Sequence, residues 1–336
     1  MEVSREQEIQ QIEAEGAPHV VILGAGASYA AFPYGDKNGH KLPLMNNFVE
    51  TLGIEELVNK SGLSFSSTNF EDIYSSIYAA PELIDLRTEL EEVVYAYFQE
   101  MELPDTPTIY DHLVLSLRKK DFIATFNWDP FLVQAIRRNG QHFNLPRPIF
   151  LHGNVAVGYC KSGHMMGNSG ALCSFCGERL VNTPLLYPVA EKGYQNEEFI
   201  SRQWGTLEAQ LKRAFMVTIF GYGAPASDTA AIELLKNAWG SPDSRNMEEF
   251  EIIDIRNEQE LVDTWSPFIH SHHYQVEGIF YDSWIANHPR RTGEAYLNHF
   301  YYAKFIENNP LPKDAGFEGL WDWFEKLQQV EDTKSK

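Results

Sequence analysis

The sequence predicts an α/β protein built on a parallel, doubly wound sheet. Three observations predict it. Residues 20–23, Val-Val-Ile-Leu, run directly into Gly24-Ala25-Gly26-Ala27-Ser28, the pattern of a buried parallel strand ending in a turn that opens a helix. Further short apolar runs alternate with helix-like segments along the chain. Each polar motif considered below follows the end of such a run, where open parallel sheets bind their ligands.

In order, residues 1–17 are polar and predict a helix ahead of the first strand. Residues 44–60 and 69–80 carry apolar residues at helical spacing, and 81–102 reads as a longer amphipathic helix with Leu83, Leu86, Leu90, Val94 and Phe98 on one face. Residues 106–120 open on a Thr-Pro signal and predict one more helix. Together these form an inserted helical layer, about 42–120. The alternation then resumes: strand 121–126, helix 130–138, strand 148–152, helix 199–213, strand 215–221, helix 227–239 and strand 250–255. Helices are expected again at 293–308 and 317–330, with a loose tail at 331–336. The expected organisation is an N-terminal helix (1–17), a ligand-binding domain (18–260) and a C-terminal extension (261–336) packed on it. No internal repeat is evident.

The bulk properties narrow the function. The chain has 336 residues, 43% of them hydrophobic, which is enough for a substantial core. Its 27 Lys+Arg stand against 47 Asp+Glu, a net charge of −20. Non-specific nucleic-acid binding needs clustered cations, so it is not expected. No apolar run is long enough for a membrane span. The acidic start lacks the features of a secretion signal, so a cytoplasmic protein is expected.

Six motifs carry candidate chemistry. The Gly24–Ser28 turn has backbone N–H groups suited to phosphate, although a dinucleotide fingerprint wants a third glycine where Tyr29 stands. Thr125-Phe126-Asn127-Trp128-Asp129 alternates polar and apolar side chains at the mouth of the sheet. Asp129 before Pro130 also fits a plain helix cap, which leaves Asn127 less well explained. His152 ends a strand beside Gly153, and its near-neutral titration suits a general base. The three cysteines lie close together: Cys160 and His164, then Cys173 and Cys176 before Gly177. A thiolate and imidazole set of this size suits structural zinc, in a module of about 156–182. Gly221-Tyr222-Gly223 forms a second glycine-rich turn, with Pro225, Ser227 and Asp228 following. Asp254 ends a strand, where a carboxylate can accept ribose hydroxyls or simply cap a loop. His270, His272 and His273 lack an acidic or cysteine neighbour and read as ordinary histidines.

Taken in order from about residue 20 to 256, these motifs resemble the sirtuin-like family. That resemblance implies a Rossmann-like NAD domain with an inserted zinc module. It departs from sirtuin deacylases in two places. Phe126 stands where they carry Gln, and Leu185-Leu186-Tyr187-Pro188-Val189-Ala190 replaces the segment that holds an acyl-lysine peptide. The 185–190 segment, with the Gly221-Tyr222-Gly223 turn and Asp228 downstream, is similar to the prokaryotic sirtuin-like proteins of antiviral defence, which implies hydrolysis of NAD to nicotinamide and ADP-ribose. The implied catalytic residues are Asn127, Asp129 and His152. The implied cofactor-binding residues are Gly24, Ala25, Gly26, Ala27, Ser28, Pro33, Thr125, Asn127, Gly221, Tyr222, Gly223 and Asp254. The implied zinc ligands are Cys160, His164, Cys173 and Cys176, with His164 in place of the usual cysteine. NAD as substrate, a homo-oligomer and an ATPase-, helicase- or sensor-type partner complete the expectation. Protein deacylation and a non-catalytic NAD or ADP-ribose sensor are the alternatives.

Overall fold

The computed structural model describes residues 2–11, 17–189, 194, 197–224 and 228–332. In chain order its strands are β1 (Glu2–Val3), β2 (His19–Leu23), β3 (Phe122–Thr125), β4 (Arg147–Phe150), β5 (Val157–Tyr159), β6 (Met166–Asn168), β7 (Val181–Asn182), β8 (Met216–Phe220), β9 (Glu249–Ile253), β10 (Tyr274–Glu277) and β11 (Phe305–Ile306). Six of them form one parallel sheet in the order β10-β9-β8-β2-β3-β4. The chain moves outward from β2 through β3 to β4. It then returns to the other side of β2 and moves outward again through β8, β9 and β10. That is the Rossmann strand order, and the direction reverses between β2 and β8.

The sheet forms where apolar residues can be buried on both faces. All five residues of β2 and all five of β8 are buried, as parallel strands under helices on both sides require. β9 is buried as well, yet it carries Glu249 and Glu251. Glu251 accepts from Thr218 Oγ1 at 2.7 Å and from the Trp284 N–H at 2.6 Å. Thr218 Oγ1 also lies 2.8 Å from His19 Nε2, so a polar chain crosses three strands. Burial pushes the Glu249 carboxyl up to about 8 and that of Glu251 to about 7.

The helical layer lies between β2 and β3 in sequence. The expected helix at 44–60 is broken at Gly53, where φ is +65°, into Phe48–Leu52 and Glu55–Asn59. Phe70–Tyr78 begins at its cap Asn69, whose side chain accepts the Glu71 N–H at 2.9 Å. A 3₁₀ turn at Pro81–Leu83 leads into Ile84–Gln99. Ile109–Ser116 carries a capping box from Thr108 and Asp111. Phe48 stacks on Phe70 at 4.1 Å within the layer and meets Trp128, after β3, edge-on at 6.4 Å, which joins the layer to the core.

The segment after residue 257 differs from the expectation. Asn257 caps the helix Glu258–Trp265, which the sequence reading did not include, and β10 adds a sixth strand beside β9. The helix expected at 293–308 is a short helix Thr292–Tyr296, a π-helical turn Leu297–Tyr301 and β11, which pairs with β1. Phe317–Asp332 is helical, starting where expected. Fully buried Arg290 donates to the Leu115 and Leu117 carbonyls at 3.1 and 3.2 Å and pairs with Glu331. Fully buried Arg291 pairs with Glu8. At the N-terminus the described helix is Arg5–Gln11; the rest of the expected 1–17 helix includes residues 1 and 12–16, which lie outside the described residues. The same holds for 333–336 of the tail. No described helix is long and apolar enough to cross a membrane.

Candidate functional site

The switch point between β2 and β8 places two glycine-rich turns side by side. The Gly24 N–H donates to the Phe220 carbonyl at 3.0 Å, and the Gly26 N–H to the Gly221 carbonyl at 2.9 Å. Only glycines allow this approach. A Cβ on Gly24 would lie 2.5 Å from the Gly221 oxygen, and one on Gly221 would lie 2.2 Å from the Ala27 nitrogen. Gly221 also takes φ +62°. The sequence reading has these glycines clear a space for phosphate. In this state they pack against each other, and the Ala27 N–H is bonded to the Gly24 carbonyl at 3.0 Å. A pyrophosphate seated here would displace the Gly221 carbonyl from Gly26. Ala25 opens the helix Ala25–Ala31. Pro33 lies beyond the far end of that helix and is exposed.

Below this turn, side chains from three segments meet. Ser28 Oγ donates to Asp129 Oδ2 at 2.6 Å and accepts from Asn127 Nδ2 at 2.9 Å. Tyr110 Oη lies 2.6 Å from the same Oγ. Serine has one proton, already given to Asp129, so Tyr110 is the donor there. Asn127 Nδ2 also donates to the Gly24 carbonyl at 2.9 Å, and the Asn127 N–H to Thr125 Oγ1 at 3.0 Å. Burial pushes the Asp129 carboxyl up to about 6, against the lowering effect of the Ser28 and Phe131 hydrogen bonds. The capping explanation accounts for only part of Asp129. The Phe131 N–H reaches Oδ1 at 3.3 Å, while Oδ2 turns to Ser28.

His152 lies just past β4. Its Nε2 is 3.0 Å from Tyr194 Oη. Tyr194 donates its one proton to Asp228 Oδ1 at 2.6 Å, and Tyr222 donates to Asp228 Oδ2 at 2.8 Å. The Tyr194 oxygen therefore accepts from His152, which assigns the proton to Nε2. Phe126 stacks on Tyr222 at 4.1 Å and turns its ring toward His152 at 4.8 Å. Asn127 and His152 are each 8% exposed and Asp129 4%. The Tyr194 and Phe126 rings pack against the imidazole and leave it little exposed.

The remaining expected residues are placed as follows. Gly153, at φ +79°, lets Pro184 approach; a Cβ there would lie 1.9 Å from the Pro184 oxygen. Leu186 then donates its N–H to the His152 carbonyl at 3.0 Å, and Tyr187 stacks on Tyr74 at 4.9 Å. Residues 185–189 are thus pinned to the helical layer; Ala190 lies outside the described residues. Asp254 ends β9 as expected, but both of its oxygens are engaged by Arg256, at 2.9 and 3.2 Å. Gly223 is exposed. Pro225 and Ser227 lie outside the described residues. His270, His272 and His273 precede β10 in a turn, and His273 Nδ1 is 3.0 Å from Tyr296 Oη. Sequence reasoning missed Tyr110 and Tyr194, whose partners lie 82 and 34 positions away.

A separate antiparallel sheet, β6-β5-β7, carries the cysteines. One ligand atom from each of Cys160, His164, Cys173 and Cys176 lies within 4.8 Å of all the others. The Cys160 and Cys176 sulfurs are 3.5 Å apart, and His164 Nδ1 is 3.6 Å from Cys160 Sγ and 4.0 Å from Cys173 Sγ. A tetrahedral zinc site with ordinary bond lengths has S–S edges of about 3.8 Å and S–N edges of about 3.6 Å. The donor set and its dimensions therefore fit structural zinc, with His164 bonding through Nδ1.

Fold and site together define an α/β protein with Rossmann strand order, two glycine-rich turns packed together at the switch point and a Cys₃His metal-binding module. No known family profile and no curated protein matches the sequence. Among solved structures, the chain is similar to one described as the structural basis for the mechanism and regulation of Sir2 enzymes (13% identity, 98% of this chain, 100% of that chain, TM-score 0.40). It is also similar to a Sir2 homologue mutant bound to ADP-ribose (13%, 89% and 96%, 0.43) and to a Sir2 homologue bound to NAD (15%, 89% and 93%, 0.36).

Proposed function

We propose that this chain is an NAD glycohydrolase. It adds water across the nicotinamide–ribose bond of NAD and releases nicotinamide, ADP-ribose and a proton. The observation that carries this reading is the convergence at the switch point. Ser28 after β2 bonds to Asn127 and Asp129 after β3, and Tyr222 after β8 shares a second polar cluster, through Asp228 and Tyr194, with His152 after β4.

Each residue has a role in this reading. The turns at Gly24–Ser28 and Gly221–Gly223 flank the pyrophosphate and the adenosine. Asn127 orients the ribose or the attacking water. Asp129, titrating near 6, stabilises the positive charge that develops on the sugar as nicotinamide leaves. His152 takes the proton from water or a ribose hydroxyl. Asp254 binds the adenosine ribose and shares its oxygens with Arg256. Because Tyr222, Tyr194 and Phe126 cover His152, substrate entry moves at least one of them. The zinc module is structural and lies outside the reaction. We read the activity as the NAD-depleting step of a bacterial anti-phage system, held in check by assembly into an oligomer or by a partner chain.

The test is nicotinamide release from NAD by the purified protein, with and without an acetylated lysine peptide. Release without peptide, lost in His152→Ala, supports the reading. Release only with peptide makes it a deacylase. Ligand-dependent stabilisation with no release, in the oligomer as well as the isolated chain, makes it a sensor.

A further inference from the structure

A second site lies away from the switch-point crevice. A cavity of about 350 Å³ opens beside the edge strand β10, a volume within the range of small-molecule sites. Its lining combines an aromatic wall with amide groups. Trp284 is the wall. His288 stacks on it at 3.8 Å and 27°, and the Trp284 indole N–H donates to the Thr292 carbonyl at 2.8 Å. His299 also lines the cavity, with its ring centre 6.4 Å from that of Trp284. The pair is too far apart to stack directly; His299 is exposed and sits edge-on to Phe300 at 4.6 Å, and a change of rotamer would lay its ring over a planar guest. His299 sits on the π-helical turn Leu297–Tyr301. Such turns displace a helix locally and occur often at functional sites.

The polar groups are suited to reading the edge of a ring. Asn308 Oδ1 bonds to His288 Nε2 at 3.0 Å, and its amide N–H₂ has no partner among the described residues. The Gln275 amide makes no side-chain hydrogen bond among the described residues either. Two open primary amides offer donors and acceptors in one plane. Asp282 supplies a carboxylate, and the lining contains no lysine or arginine. Apart from the two imidazoles, a phosphate group would meet a carboxylate and no lysine or arginine.

We infer that this cavity binds a planar nitrogen heterocycle without a phosphate: a free base or nucleoside seated on Trp284, with its edge read by Gln275 and Asn308. Nucleotides bind more weakly, because their phosphate meets the Asp282 carboxylate. The site is independent of the hydrolase reading.

The test is calorimetric titration of the full chain with adenosine, cytidine, nicotinamide and AMP. At least one of the first three binds at one site per chain, and AMP binds at least tenfold more weakly than adenosine. His299→Ala and Gln275→Leu each weaken the bound probe about tenfold or more, while Asn127→Ala, in the crevice, leaves it unchanged. Both cavity variants alter side chains outside the core, so folding is checked by an unchanged melting temperature. The inference is overturned if none of the three probes binds at millimolar concentration. It is overturned equally if AMP binds as tightly as adenosine, or if binding is lost in Asn127→Ala and kept in His299→Ala.

Discussion

The crevice at the switch point and the cavity beside β10 handle their polar groups in opposite ways. In the crevice Ser28, Asn127, Asp129 and Tyr110 bond to one another, and His152, Tyr194, Asp228 and Tyr222 form a second chain. A ligand there must exchange bonds that already exist. In the cavity the amides of Gln275 and Asn308 keep open hydrogen-bonding positions, and a ligand adds bonds without breaking any. Buried polar groups cost stability when left unpaired. A site that must hold reactive groups out of water therefore pairs them internally until substrate arrives. A site that faces water can leave them open.

The largest effect expected from breaking the crevice is kinetic. His152→Ala and Asn127→Ala should each lower NAD hydrolysis by about 10²–10⁴-fold, the range for losing a positioned proton-transfer or orienting group. Both substitutions also leave buried partners unpaired, so melting temperatures should fall as well, and the rates are compared well below them. A loss of less than about tenfold in both variants would remove these residues from the chemistry.

Next comes the metal module. Metal analysis should find one zinc per chain, and Cys176→Ser or a strong chelator should remove it. The β5–β7 sheet should then lose its protection from hydrogen exchange, while β2 and β8 keep theirs. Equal loss in β2 and β8 would show that the module supports the whole fold.

A smaller effect sharpens the account of Asp129. If its ionised form is required, kcat/KM rises with pH through about 6. The Ser28 hydroxyl lowers that value, so Ser28→Ala should move the limb to higher pH, not merely reduce the rate. An unmoved limb assigns the titration to another group.

The smallest effect concerns the buried carboxyls of β9. Their folded values, about 8 for Glu249 and 7 for Glu251, exceed the ordinary value of 4.5. The folded state then holds more protons than the unfolded chain. This contribution is fully present below 4.5 and lost as pH rises through 7 to 8. His19 and His288, lowered by burial to about 4, act in the opposite direction, but only below 6.5. Thermal stability should therefore fall between pH 6.5 and 8.5. Glu249→Gln should flatten that fall and stabilise the protein at pH 8 by roughly 1 kcal/mol or more. A melting temperature that rises over this interval would contradict the assignment.

What the sequence reveals follows from where apolar residues are concentrated. β2, β3, β8 and β9 announce themselves because burial on both faces demands apolar runs. β10, Tyr-Gln-Val-Glu, does not. It is an edge strand with all four residues half-buried, and such a strand needs no apolar run. The helix Glu258–Trp265 was legible in principle, since Asn257 and Glu260 give the cap pattern. The 293–308 segment misleads because helix, π turn and β11 follow one another with no glycine or proline between them. At the site, the strand-end motifs mark Asn127, Asp129 and His152. The tyrosines that bind them carry no local signal, because Tyr110 sits in a helix and Tyr194 in a loop. Asp254 was visible as a strand-end acid, while its occupation by Arg256 was not. The glycines of both turns were visible too. Their use in packing β2's turn against β8's depends on a register that no local pattern records.

The most direct test is a crystal structure of the His152→Ala variant with NAD. The account predicts intact dinucleotide across the β2–β8 switch point, its nicotinamide ribose against Asn127 and the vacated position 152, and Tyr222 moved off Phe126. Dinucleotide bound elsewhere, or seated with its nicotinamide ribose turned away from position 152, would contradict it.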